Sequence, residues 1–245
     1  MTTESRHIRT EILLGQAALA HLKQQHILVA GLGGVGGFAA EALARAGIGR
    51  LTLLDHDVIV PSNLNRQLLA LQSTLGQKKA IVMAERLRDI NPEIELVIAD
   101  HFLQQNEAAE FVAQGHFNYV LDCIDSIACK AALVAACLRQ QVKVASSMGA
   151  GNRLDVTQVK ITQLNQTQGC GLARELRALL KQQQVRTNYP VVYSQEVPRS
   201  PLPHQHVAAG EGRPRATNGT ISYLPGLFGL MLSGWVIKDL LAEME

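Results

Sequence analysis

His26-Ile-Leu-Val-Ala-Gly31-Leu-Gly33-Gly34-Val-Gly36-Gly37-Phe38 is the stretch that decides the fold. A short apolar run closes on a cluster of glycines, and the alanine-rich segment from Phe38 to Ala46 reads as a helix. Glycines let the backbone turn tightly between strand and helix and approach a phosphate, whose charge is met by the amides and dipole of the helix N-terminus. Leu51-Thr-Leu-Leu54 reads as the next strand. Asp55 ends it, 19 residues after Gly36, placed to bond ribose hydroxyls. Alone, this pattern fits an NAD or FAD site as well as an ATP site.

Outward from there the alternation continues. Gln77 to Ile90 reads as a helix with Ala80, Met83, Ala84 and Leu87 on one face, stopped by Asn91-Pro92. Glu93 to Ala99, Tyr119 to Asp122 and Val142 to Ala145 read as strands, with an apolar helix from Lys130 to Arg139. Strand, helix, strand in this order predicts an α/β fold. Its mostly parallel, Rossmann-like sheet has right-handed crossovers, flanking helices and chemistry at the carboxyl ends of the strands. Beyond residue 150 the pattern is less regular. Val156 to Leu164 alternates like a strand, and Leu172 to Lys181 reads as a helix with Leu172, Leu176, Leu179 and Leu180 inward. Tyr189 to Asn218 carries five prolines and reads as one long mobile loop. Ala216 to Ile237 has no charged residue, but Pro225 and the glycines near its start shorten any continuous helix. Gly226, Gly229 and Gly234 suit close packing, so a buried or dimer-interface helix is expected there, with peripheral membrane contact as the alternative. The expected organisation is one domain over 1–245, with a nucleotide-binding part at 1–150 and a strand/helix extension at 151–245 facing the substrate.

Composition sets the limits. At 245 residues, 47% hydrophobic, 18% charged and net +2, the chain is ordinary globular material, neither collagen-like nor disordered. No basic n-region and apolar h-region open it, so a cytosolic (cytoplasmic) location is expected. Cys123, Cys129, Cys137 and Cys170 form no C-x-x-C pair, which speaks against a zinc ribbon or a thioredoxin-type site.

Further residues separate the nucleotides. Ser62-Asn63-Leu-Asn65-Arg66-Gln67 follows Asp55 and Asp57, and Lys79 comes 13 residues after Arg66. A nicotinamide site has no need of two more cations, whereas a triphosphate losing pyrophosphate does, because charge builds on the leaving group. Arg can fork onto phosphate oxygens and Lys acts as a point charge. Asp122-Cys-Ile-Asp125-Ser126 ends a later strand, where a carboxylate could hold magnesium. The bland alternative makes Arg66 and Lys79 surface charges and Asp125 a helix N-cap.

Together the glycine loop, Asp55, Ser62-Asn-x-x-Arg-Gln67, Gly76-Gln-x-Lys79 and Asp122-x-x-Asp125 resemble the signature of the E1-like superfamily, whose members adenylate a carboxylate with ATP. Arg9 matches that superfamily's N-terminal arginine, which reaches the ATP of the other subunit in a homodimer. Lys130, Asp155-x-Thr157-Gln158, Leu172-Ala-Arg-Glu-Leu-Arg177, Val191-Val-Tyr193-Ser194-x-Glu196 and Asn218-Gly-Thr220 are similar to the branch that dehydrates threonylcarbamoyladenosine in bacterial tRNA. That resemblance implies cyclisation of the group on adenosine 37 through an acyl adenylate. It implies ATP contacts from Arg9, Gly31, Gly33, Gly34, Gly36, Asp55, Asp57, Asn63, Arg66, Gln67, Lys79, Asp122, Asp125 and Ser126. Arg66, Lys79 and Asp125 would be catalytic, with Mg2+ carried at Asp125 and no zinc. Some relatives work with cysteine desulfurase systems, so sulfur-transfer partners come with the resemblance. The alternatives are adenylation of a ubiquitin-like sulfur carrier, whose activators keep two C-x-x-C pairs absent here, and an NAD-dependent oxidoreductase.

For tRNA, residues 156–220 hold eight Lys or Arg, Lys160 among them, against three Glu, a local excess of +5. Arg174, Arg177, Lys181, Arg186, Arg199, Arg213 and Arg215 are the candidate phosphate contacts; a solvated charged face is the alternative. His204 and His206 read as loop residues rather than metal ligands. Cys170, beside two glycines at a helix start, is a minor candidate for a thioester nucleophile.

Overall fold

The computed structural model describes residues 5–200 and 218–244. In chain order the elements are α1 (Ile8–Leu14), α2 (Gln16–Lys23), β1 (His26–Ala30), α3 (Gly36–Ala46), β2 (Arg50–Leu54), α4 (Lys79–Ile90), β3 (Glu95–Ala99), α5 (Ala108–Gly115), β4 (Tyr119–Asp122), α6 (Ile127–Arg139), β5 (Lys143–Ser147), β6 (Val159–Gln163), α7 (Gly171–Gln182), β7 (Pro190–Ser194) and α8 (Leu224–Leu241). The expected strands and helices of the first 150 residues are all present within a few residues. Helices α1, α2 and α5 are additional to the expectation.

Seven strands form one sheet in the order β3-β2-β1-β4-β5-β7-β6, parallel throughout except for β6, which runs antiparallel to β7. Alternate side chains of each strand feed opposite cores, as the two-residue period requires. Ile27, Val29, Leu51, Leu53 and Leu121 pack with α3, α4 and α8 on one face. Leu28, Ala30, Leu54, Val120 and Val144 pack with α5, α6 and α7 on the other. A sheet covered on both faces needs apolar residues at every position, and β1 is buried along its whole length. Neighbours β1 and β4 are reached by chain segments that leave in opposite directions. Their carboxyl ends therefore frame the crevice in which open α/β sheets bind ligands.

The long loop expected from Tyr189 to Asn218 needs correction at its start. Pro190–Ser194 is β7, an interior strand pairing with β5 on one side and β6 on the other. Its proline takes the first strand position, where a missing N–H is tolerated, and Val191, Val192, Tyr193 and Ser194 are buried. The density of prolines downstream hid the apolar run Val191-Val-Tyr193. Arg213, Arg215, His204, His206 and most of the rest of that stretch lie outside the described residues.

Helix α8 lies on the sheet and against α3. Pro225 sits in its first turn, where a proline costs no hydrogen bond. Leu224, Phe228, Leu232, Val236 and Leu240 recur every four residues, and all are buried. A Cβ on Gly229 would stand 2.2 Å from the Val35 carbonyl oxygen, so glycine is required for this approach. Gly226 packs on Phe38, whereas Gly234 meets nothing within its own chain and is exposed there.

Candidate active site

At the β1/β4 crevice the carboxyl ends of the strands enclose a cleft of about 440 Å³, a size suited to a small ligand. Its floor on one side is the turn from β1 into α3. Gly31 has φ +88°, and a Cβ there would meet the Cys123 carbonyl oxygen at 2.8 Å. At Gly36 a Cβ would stand 1.7 Å from the Gly31 oxygen, so this turn closes only with glycine. Gly36 shapes the loop without lining the cleft, while Gly31, Gly33 and Gly34 do line it. Among the described residues the amides of Gly33, Gly34 and Val35 have no backbone partner, and α3 has no side-chain cap. Unpaired amides at a helix N-terminus favour an anion.

Asp55 is buried and both of its oxygens are engaged. Oδ2 accepts from the Leu32 amide at 2.7 Å and Oδ1 from the Asp57 amide at 2.8 Å. It thus holds the glycine loop to the end of β2 while facing the cleft. Lys79 opens α4, with its side chain only 6% exposed and Nζ 2.7 Å from Asp57 Oδ2. It is a buried lysine, not the surface charge of the bland alternative. Asp57 is half-exposed, so this pair opens to solvent. Arg66 donates from Nη1 to the Ser62 carbonyl oxygen and to Asn65 Oδ1. Asn63 accepts from the Val60 amide, and Gln67 is buried with no partner for its Oε1. Arg66, Asn63, Gln67 and Lys79 all line the cleft.

The loop from β4 into α6 supplies Asp125 and Ser126, both on the cleft wall. Ser126 is the N-cap residue of α6. Asp125 is exposed and takes no hydrogen bond or ion pair among the described residues, so the reading of it as a cap fails. Asp55, His56 and Asp57 also bring one ligand atom each within 4.8 Å of one another. Two of these carboxylates already serve amides or Lys79, which leaves Asp125 the freer metal ligand.

Asp122 stands away from the nucleotide position expected for it, and Arg9, expected at the other subunit's nucleotide, lies away from its own chain's cleft. Asp122 is fully buried beneath the cleft floor, 2.8 Å from Lys130 Nζ, and does not line the cleft. The last side chain of a central strand points into the core as readily as out of it, and here it points inward. Arg9 is exposed on α1. Its neighbours Arg6 and His7 lie beside Gly49 and Glu93, at the amino end of the sheet, and Arg9 lines no part of its own chain's cleft.

Sequence reasoning missed the apolar wall, made by Phe102, Leu103, Ile124 and Cys129 beside His101. Phe102 stands edge-on to His56 with ring centroids 5.0 Å apart. Its place just past the end of β3, level with the other strand ends, was the available signal. Also missed was Arg153, buried and bonded to the carbonyl oxygens of Gly149, Gly151, Gly169 and Glu196. It pins the segment whose Gly151 lines the cleft. Thr220 and Pro225 complete that side, with Asn65 Nδ2 donating to the Thr220 carbonyl oxygen at 2.9 Å.

Of the basic candidates, Arg174, Lys181, Arg186 and Arg199 are exposed. Arg177 is structural: it donates to the carbonyl oxygens of Leu164 and Thr167 and to the Thr167 hydroxyl, tying α7 to the turn after β6. Cys170 is buried at the start of α7 in the α6/α7 core and lines no part of the cleft. Cys123 does line it, but burial beside Asp122 pushes its thiol up to about 12, away from a thiolate.

Comparison with known proteins follows the cleft. The profile of the ThiF family matches residues 4–245. The tRNA threonylcarbamoyladenosine dehydratase of Bacillus subtilis is 36% identical over 243 residues, 97% of this chain and 95% of that protein. The crystal structure of the E. coli tRNA N6-threonylcarbamoyladenosine dehydratase in complex with ATP superposes with a TM-score of 0.86 at 36% identity, covering 98% of this chain and 95% of that one. The E. coli molybdopterin-synthase adenylyltransferase is 40% identical over 141 residues, but these are 58% of this chain and 54% of that protein.

Proposed function

The chain belongs to the ThiF family, and on that premise we propose that it catalyses ATP-dependent dehydration of N6-threonylcarbamoyladenosine at position 37 of tRNA to the cyclic form. The observation that carries this reading is the near full-length match to tRNA threonylcarbamoyladenosine dehydratases. The carrier-protein activator, by contrast, is matched over only 58% of this chain. Arg66 and Lys79 beside open amides speak for a triphosphate rather than a nicotinamide dinucleotide.

The chemistry follows from the residues. The threonyl carboxylate is a poor electrophile at neutral pH. Its oxygen attacks the α-phosphorus of ATP, the bond to pyrophosphate breaks, and an acyl adenylate results. The tethered carbamoyl group then attacks the acyl carbon through nitrogen or oxygen. It loses its proton, and AMP leaves with the former carboxylate oxygen, so the net loss is water. Ring closure is intramolecular and therefore fast once the leaving group is good. The glycine-loop amides take phosphate oxygens, Asp55 the ribose, and the wall at Phe102 and Leu103 the adenine. Lys79 exchanges Asp57 for a phosphate oxygen, and Arg66 meets the charge that grows on pyrophosphate. Bound Mg2+ would neutralise charge on the phosphates, and the unpartnered Asp125 fits it. No cysteine nucleophile and no zinc are needed.

The same reading makes the enzyme a cytoplasmic homodimer in which Arg9 completes the partner's site, consistent with its distance from its own. Exposed Arg174, Lys181, Arg186 and Arg199 would grip the tRNA backbone. The 151–245 extension acts as the substrate-facing side of a single domain. Exchange of radiolabelled pyrophosphate into ATP, with and without bulk tRNA, tests the assignment. Exchange should appear only with tRNA that bears the threonylcarbamoyl group, and AMP should accumulate with the cyclic product. Exchange driven instead by a carrier protein ending in Gly-Gly, and not by tRNA, would sink it.

A further inference from the structure

The peptide of Ile124 is held from both sides by one buried ion pair. Asp122 closes β4 and Lys130 lies in the first turns of α6, with Nζ 2.8 Å from Oδ2 and both side chains wholly buried. Lys130 Nζ also donates to the Ile124 carbonyl oxygen at 2.9 Å. Asp122 Oδ1 accepts from the Ile124 amide at 3.2 Å. A third support comes from below: Ser146 Oγ donates to Asp122 Oδ2 at 2.6 Å and lies 3.0 Å from the Tyr189 hydroxyl. Three strand ends and one helix therefore meet under a single peptide group.

The next residue is Asp125. Nothing within the described residues bonds its carboxylate, so its direction is fixed by the backbone that carries it. The same loop is wedged against the phosphate turn, since the Cys123 carbonyl oxygen occupies the space a side chain on Gly31 would need. A buried ion pair is a poor source of stability, because apolar residues of similar volume commonly do as well or better. Its presence under the cleft calls for a different role.

We propose that Lys130 is a positioning residue. Paired with Asp122, it clamps Ile124 and so aims Asp125 at the metal–phosphate position of the cleft. This rests on the role given above to Asp125. The largest effect of such a residue falls on the metal-bearing nucleotide, because the glycine-loop amides meet the phosphates whether or not metal is present.

Calorimetric titration with ATP in excess Mg2+, and with ATP in EDTA, reads this directly. Lys130→Met should weaken binding of the magnesium complex about tenfold, the lower end of what supporting partners of metal ligands contribute. Its affinity for ATP in EDTA should stay within about twofold of the parent's, since only the metal-dependent contact is lost. Asp125→Ala should do the same, and the two together should be no worse than either alone, as expected for residues acting through one another. Multiplied losses in the combined variant, or equal losses with and without Mg2+, would make Lys130 merely structural. Should Lys130→Met not fold, Asp122→Asn combined with Lys130→Met removes both buried charges. It should fold with the same magnesium-selective loss, and parental magnesium–ATP affinity in it would overturn the proposal. If Asp125→Ala alone binds magnesium–ATP like the parent, it is the role of Asp125 that has failed, and the aim of the clamp with it.

Discussion

The two ends of the sheet treat their polar groups differently. Among the described residues at the carboxyl end, the amides of Gly33, Gly34 and Val35 have no backbone partner, Asp125 bonds nothing, and Gln67 Oε1 is buried and unpaired. Lys79 is held there by a half-exposed aspartate. At the amino end most such groups are matched off, with His7 Nδ1 and Trp235 Nε1 the exceptions among the described residues. His26 bonds Thr52 Oγ1 at 2.9 Å and takes Asn118 Oδ1 on its amide at 2.7 Å. Arg6 and Lys23 share Glu93 at 2.9 and 3.1 Å. Buried polar groups in native proteins are almost always satisfied, so a cluster of unsatisfied ones marks where a ligand completes the structure. One end is built to hold the fold and the other to be finished by substrate.

The contrast can be pressed hardest at Lys79 and Asp125. Lys79→Ala or Asp125→Ala should lower pyrophosphate exchange by about a thousandfold, the scale of a lost transition-state contact in a water-poor site. Circular dichroism should remain that of the parent. Because Lys79 is buried, Lys79→Met controls for lost packing and should be as inactive but more stable. Near-normal turnover in either aspect would erase the functional meaning of the carboxyl end.

Arg9 is where the contrast would break in a useful way, for it sits at the amino end of its own chain yet is assigned to a site. Arg9→Ala should be strongly impaired. Random mixing with Lys79→Ala should restore about a quarter of parental activity, since half the dimers are hybrid and one of their two sites is intact. A fully active monomer at assay concentration would refute the arrangement.

A smaller effect belongs to the amino end, and it is one of stability. Burial and the nearby Arg50 lower the pKa of His26 from 6.5 to about 4. Its contribution is fully present above pH 6.5. As pH falls from there toward 4 the unfolded chain takes up the proton first, and stability drops by at most about 1.4 kcal/mol per pH unit. Thermal melts from pH 7 to 4 should show this slope, and His26→Gln should flatten it. An unchanged slope would move the titration to another group. Smallest of all, Asp57→Asn should tighten binding of ATP in EDTA a few-fold at low salt, because it removes a half-exposed competitor for Lys79. Weaker binding would show that Asp57 itself contacts the nucleotide complex.

The sheet was legible where glycines and strand ends coincide. Gly31 to Gly36, Asp55, Lys79 and Asp125 stand at the carboxyl ends of adjacent strands because a parallel sheet leaves nowhere else for them. What stayed hidden was side-chain direction and distant pairing. Asp122 and Asp125 are three residues apart in one motif, and only the packing of α6 sends one under the floor and the other into the cleft. Arg177 looked like a nucleic-acid contact because charge is visible in a sequence and the carbonyl oxygens it serves are not. β7 was lost among prolines, since its partners β5 and β6 are far from it along the chain.

Helix α8 carries a consequence for biosynthesis. Pro225 lines the cleft, and Gly229 presses on the carbonyl of Val35, so the phosphate turn is backed by a segment translated long after it. A nascent chain therefore carries its glycine loop without the surface that supports it until α8 has been added. The apolar face awaiting Phe228, Leu232 and Val236 stays open meanwhile to chaperones and proteases. Contacts this distant in sequence also form late in folding. Competence to consume ATP thus arrives only once α8 has been made, and a chain interrupted before Leu224 should fail to retain nucleotide on a filter.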